Sequence, residues 1–123
     1  MTKVYRRKIT SPMARGLIRQ YREVGREYAH SASLVRNETH EFSQLSWWNL
    51  IEELPEAQRE DGGRAGWWRL TWLGERFVIN RTYVPKYARI YDSRVLGLDA
   101  TENVSIIDAI GTKFNYRDLM DGI

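Results

Sequence analysis

The chain has 123 residues, 42% hydrophobic and 28% charged, the balance of one ordinary globular domain. Two histidines and no cysteine exclude disulfides, thiol nucleophiles and zinc ribbons; no metal site and no cofactor are expected. The net charge of +3 hides an alternation of sign: residues 1–36 carry nine basic and two acidic groups, 37–63 one and seven, 64–96 seven and two, and 97–123 two and five.

No apolar run approaches the ~20 residues that a membrane span needs. Residues 1–10 are basic but lack the apolar segment of a signal peptide. A cytoplasmic protein with no membrane partner is therefore expected. Residues 1–8 are short, basic and extended in character, and Lys3, Arg6, Arg7 and Lys8 with Tyr5 between them could form an arm that tracks phosphates or enters a minor groove. A solvated terminus is the plainer alternative.

Thr10-Ser11-Pro12 supplies a helix start, with a hydroxyl cap and a proline in the first turn. Met13, Leu17, Tyr21, Val24 and Tyr28 then recur at helical spacing, with Arg15, Arg19, Arg22 and Arg26 mostly off that stripe. Residues 31–36 are expected to form a short second helix. Residues 38–48 are expected to form a third, with Phe42 and Leu45 inward and Thr39, His40, Ser43 and Gln44 outward. Asn49 suits the left-handed end of that helix. Leu50-Ile51 begins a strand.

Residues 54–66 hold Pro55, Gly62-Gly63 and several charges, and read as a loop. Residues 66–71 resume an aromatic strand, and Thr71 can cap a helix over 72–79. Residues 84–98 read as a β-hairpin turning at Asp92-Ser93-Arg94. Short helices are expected over 105–110, closed by Gly111, and over 115–120, capped by Asn115.

Neighbouring residues of a strand face opposite sides. One of Trp67 and Trp68 should then point away from the core unless the hairpin covers it. Beside Arg69, it would be an anchor for a protein partner, because Trp and Arg dominate binding hot spots. At least three of the five tryptophans are expected in the core.

Enzymatic motifs are not found. His30 and His40 have no spaced carboxylate pair or nucleophile motif with them, and Gly62-Gly63 is not followed by Lys-Ser or Lys-Thr. Ser31 and Ser33 are expected as helix-capping residues. A non-catalytic protein is expected.

The order helix, strand, charged loop, strand, helix over residues 37–77 resembles the core of MarR-type winged-helix proteins. In that family a hydrophobic exit containing Gly-Leu follows the recognition helix, and the second wing strand ends in Leu-Thr with a glycine shortly after. Here the exit is Trp48-Asn49-Leu50-Ile51, with Asn in place of Gly, and the close is Leu70-Thr71-Trp72-Leu73-Gly74. The pattern, with Val84-Pro85-Lys86-Tyr87 and Lys113-Phe114-Asn115-Tyr116, also resembles small uncharacterised phage and bacterial proteins over most of residues 15–120. That second resemblance carries no activity.

The resemblance implies an α+β winged helix-turn-helix with an added C-terminal β-hairpin and short helices: a basic arm at 1–10, the winged-helix core at 11–80, and the remainder at 81–123 in the same compact domain. It implies non-catalytic binding of double-stranded DNA, as in a transcriptional regulator of a bacterial cell or phage-infected host. Thr39, His40, Ser43 and Gln44 would meet base edges, Ser33 and Arg36 the backbone, and Arg59 and Arg64 would ride on the wing, with Arg6, Arg7 and Lys8 as a supporting arm. A homodimer is also implied, although this chain has one long N-terminal helix and a different C-terminal part.

The acidic block at 37–63 departs from the family, because carboxylates near phosphates weaken binding. The alternative is a winged helix that docks a protein, such as a phage-encoded modulator of a host complex, with Trp67, Trp68 and Arg69 at its interface. A structural subunit of a larger particle is a third possibility.

Overall fold

The computed structural model describes residues 3–59 and 65–122. The described residues form a mixed α+β structure with two three-stranded antiparallel sheets. Its first helix, α1, is Ser11–Val24; the Thr10 hydroxyl accepts from the Met13 amide, and Met13, Ala14, Leu17 and Ile18 are buried. The helical stripe was expected to run on to Tyr28. It stops at Val24 because Gly25 turns the chain at φ 62° and donates its N–H to the Tyr21 carbonyl.

The first sheet is built from three short strands, β2 (Ala29–His30), β3 (Ile51–Glu53) and β4 (Trp67–Leu70), in the order β2-β4-β3. Ala29 lies opposite Trp68, and Ile51 opposite Leu70. Strand β2 was not anticipated. Helix α2 is Ser31–Leu34, shorter than the expected 31–36, with the His30 ring accepting from the Ala32 amide.

The expected helix over 38–48 is corrected most. Residues 35–38 form a turn, and a 3-10 helix begins only at Phe42, spanning Phe42–Trp48. Two interactions oppose helix formation before that point, one local and one from a distant helix. The Thr39 hydroxyl accepts from the Glu41 amide at 2.9 Å, offering the backbone a rival partner. The Glu38 carboxylate is drawn 3.1 Å from Arg19 of α1. Phe42, Leu45 and Trp48 are buried, and Asn49 ends the segment at φ 60° as its sequence suggested.

Helix α3, Trp72–Val78, follows β4 and is capped by Thr71, whose hydroxyl accepts from the Gly74 amide at 3.0 Å. The second sheet contains β1 (Tyr5–Lys8), β5 (Val84–Tyr91) and β6 (Arg94–Val104) in the order β1-β5-β6. The β5–β6 hairpin turns through Asp92 and Ser93, both at positive φ, the geometry that matches strand twist in a two-residue loop. Residues 5–8 are the edge strand of this sheet, with Tyr5 opposite Ile90 and Lys8 opposite Tyr87. Helices α4 (Ile106–Ile110) and α5 (Tyr116–Asp121) carry the Ser105 and Asn115 caps.

One core joins these parts. Met13, Leu17 and Ile18 of α1 share it with Phe42, Leu45, Leu70, Phe77, Ala88, Ile90 and Ile106. Trp48 is fully buried and its indole N–H donates to the Pro85 carbonyl at 2.8 Å, tying the 3-10 helix to β5. Trp47 and Trp68 are half-buried against the same core.

Candidate nucleic-acid interface

Four of the residues that the sequence singled out converge. Arg36, Thr39, His40 and Ser43 line one concavity of about 160 Å³ together with Ser31, Ala32 and Phe42. It lies between α2 and the start of the 3-10 helix. Phe42 is buried beneath, while Arg36, His40 and Ser43 are exposed. The groups on offer are a guanidinium, an imidazole and three hydroxyls, which can meet phosphate oxygens and base edges. Gln44 is half-buried on the 3-10 helix outside this lining. Arg64 lies outside the described residues.

The approach to β4 at Ala65 and Gly66 is fixed by His30. Its Nδ1 accepts from the Ala32 amide at 3.2 Å, so Nε2 carries the hydrogen and donates to the Ala65 carbonyl at 2.9 Å. Its ring meets Trp67 edge-on with centroids 5.3 Å apart. Gly66 lies against it at φ 100°, where a Cβ would stand 2.9 Å from Nε2. The imidazole thus joins the start of α2 to the approach to β4, which is a structural use of His30.

The acidic block is partly neutralised by arginines outside and within it. Glu38 pairs with Arg19 at 3.1 Å, Glu53 with Arg59 at 3.4 Å, and Glu52 with Arg69. The hydrogen bond that Arg69 donates to the Glu52 carboxylate pushes the Arg69 pKa further up, and the same guanidinium lies over the Tyr28 ring at 4.7 Å. Glu41 and Glu56 remain exposed. Glu38 and Glu52 of the block are thus engaged by arginines from outside it.

The other expected sites are placed differently. Arg6, Arg7 and Lys8 are held in β1, on the second sheet, rather than in a free arm. Trp67, Trp68 and Arg69 are each half-buried, so none is the projecting anchor that strand alternation suggested. Trp68 packs against the core, and Trp67 is covered by His30. The projecting tryptophan is Trp72, 68% exposed, with the Arg26 guanidinium 3.6 Å above its ring. Its signal was in the sequence: with Gly74, Phe77 and Val78 of α3 inward, residue 72 falls on the opposite side of that helix.

Among the described residues no three histidine and carboxylate side chains are close enough to hold a metal ion. No described helix is long and apolar enough to cross a membrane. No family model, curated protein or solved structure matches the chain.

Proposed function

We propose that the chain is a non-catalytic winged-helix protein that binds double-stranded DNA, as a regulator would, through the concavity between α2 and the 3-10 helix. The observation that carries this reading is the convergence of Arg36, Thr39, His40 and Ser43 on that one surface. The sequence placed Arg36 on a second helix over 31–36 and Thr39, His40 and Ser43 on a third over 38–48, and the four gather at one place. The succession α1, β2, α2, 3-10 helix, β3, β4, with sheet order β2-β4-β3, supports the winged-helix reading. In it the 54–66 segment would be the wing, and His30 would set its position relative to α2.

Arg36 would contact phosphate, while Thr39, His40, Ser43 and Gln44 would meet base edges or neighbouring phosphates. The pairing of Glu38, which lies between Arg36 and Thr39 in the chain, with Arg19 lowers the electrostatic cost of bringing a phosphate backbone to this side.

Anisotropy titrations of a labelled random-sequence duplex at ~50 and ~200 mM salt test the reading, since phosphate contacts make affinity fall steeply with salt. Salt-sensitive binding that Arg36→Glu weakens at least about tenfold is the expected result. Duplex binding insensitive to Arg36→Glu would overturn it.

A second reading, a winged helix that docks a protein in the cytoplasm of a host cell, has its own support in Trp72. A tryptophan 68% exposed beside Arg26, over a groove that includes Tyr21, Glu75 and Met120, has the composition of a binding hot spot. It would show partner capture lost on Trp72→Ala and indifferent to Arg36→Glu.

A further inference from the structure

In the β1-β5-β6 sheet only β5 buries one face on the core; β1 is exposed throughout, and β6 is exposed or half-buried throughout. Val84, Ala88 and Ile90 of β5 are buried, so the alternate residues Tyr87, Arg89 and Tyr91 face outward. Residues in register across an antiparallel pair share a face. The register therefore adds Arg6, opposite Arg89, and Lys8, opposite Tyr87, from β1. It adds Arg94, opposite Tyr91, and Asp99, opposite Tyr87, from β6.

Four cations, Arg6, Lys8, Arg89 and Arg94, thus surround two tyrosines; Asp99 is brought to the face by register, and Lys86, paired with Glu102 at 2.9 Å, lies 5.4 Å from the Tyr87 ring. Arg6 and Arg89 stand directly opposite each other, an arrangement that costs a sheet stability. Asp99 answers only part of this charge: it is 3.8 Å from Arg6 and also accepts from the Thr101 amide and hydroxyl. The Arg6 guanidinium lies 4.1 Å above the Tyr87 ring, and Tyr91 is 42% exposed. Arg7 has the other parity. It lies opposite Ala88 and reaches the Tyr5 ring instead.

We propose that this outer sheet face binds single-stranded nucleic acid, with its cations on successive phosphates and unpaired bases stacked on Tyr91 and on the Arg6–Tyr87 pair. Phosphates supply the charge that the opposed arginines lack. Open aromatic and guanidinium planes suit unpaired bases, whose faces a duplex keeps stacked. The surface is separate from the concavity of Arg36, and the proposal stands apart from the duplex reading.

The test is anisotropy of a labelled oligothymidine of about 12 nucleotides, a length within the usual single-strand site size. Binding at ~50 mM salt is expected to weaken about 50-fold by ~200 mM if four phosphates are engaged. Arg89→Glu and Arg94→Glu should each weaken it at least about tenfold, and Tyr91→Leu severalfold, with circular dichroism unchanged. Arg7→Glu, on the other face of β1, should leave it within about twofold. If Arg89→Glu does not fold, Arg89→Gln and the exposed Tyr91→Leu carry the same expectation. The absence of binding at low salt would overturn the proposal, as would a loss on Arg7→Glu equal to that on Arg89→Glu. Equal competition by polyglutamate together with indifference to Tyr91→Leu would also overturn it, and would assign the face to an acidic protein. Loss on Arg36→Glu with none on Arg89→Glu would overturn it too, placing the single strand in the concavity.

Discussion

Gly74 of α3 lies so close to the Leu50 carbonyl oxygen that a Cβ at position 74 would stand 2.0 Å from it. The contact belongs to a knot around Thr71. The Thr71 amide donates to the same Leu50 carbonyl, and its hydroxyl donates to the Asn49 carbonyl at 2.6 Å while accepting from the Gly74 amide. These bonds lock the exit of the 3-10 helix to the start of α3. They give a physical reason for Asn49-Leu50 and Leu70-Thr71-Trp72-Leu73-Gly74 to occur together.

Gly74→Ala is therefore expected to destabilise the fold by roughly 3 kcal/mol, the scale of an overpacked core. An ordinary helix would gain up to about 1 kcal/mol from the same change. Thermal or urea unfolding of the variant measures the sign, and a gain in stability would mean that Leu50 and α3 can separate at little cost.

How much was legible in the sequence follows from whether an interaction is local. The caps Thr10, Thr71 and Asn115 act within three residues of themselves, and all three read correctly; Ser105 caps α4 although the sequence placed it inside that helix. Asn49 and the Asp92-Ser93 turn were legible for the same reason. The 38–48 segment was not, because the pull of Arg19 on Glu38 comes from a helix 19 residues earlier. Residues 5–8 pair with Tyr87–Ile90, far along the chain, so basic composition described their charge and not their place. Trp67 and Trp68 obeyed strand alternation, but His30 covers the one that alternation would have exposed. Of the candidate site, residue types and positions were readable, whereas its shape required knowing that the helix starts late.

His30→Ala is expected to loosen the approach to β4 without unfolding the core. The ring's two hydrogen bonds and its edge-on contact with Trp67 would be lost, costing about 1–2 kcal/mol. Amide hydrogen exchange should quicken at Ala32, Gly66 and Trp67 and stay slow in α1. Uniform acceleration throughout the chain would show that His30 serves the whole fold.

Tyr116 gives the fold an alkaline limit. Its hydroxyl donates to the Val78 carbonyl at 2.6 Å; burial, and then Tyr21 nearby, hold its pKa above the ordinary 10.0. The folded state thus favours the neutral phenol. This contribution is complete below the ordinary pKa and is lost as pH rises through the raised one. Tyr116→Phe should cost about 1 kcal/mol at neutral pH. Melting temperatures of the two proteins should converge above pH 10. A gap that is constant across pH 8–11 would show that the phenol ionises equally in both states.

Trp72→Ala is expected to change stability by less than about 1 kcal/mol, since an exposed cation–π contact is worth no more. Duplex affinity should stay within about twofold of the parent chain, because Trp72 is not part of the concavity. A large loss of duplex binding would move the DNA surface to the Arg26–Trp72 groove.

The most direct measurement is a heteronuclear NMR titration of the nitrogen-labelled chain with a random-sequence duplex at low salt. The largest amide shifts are expected at Ser31, Arg36, Thr39, His40 and Ser43, with smaller ones at Ala65 and Gly66. Shifts confined to Arg26, Trp72 and Glu75, or no shift at any duplex concentration, would contradict duplex binding through the concavity.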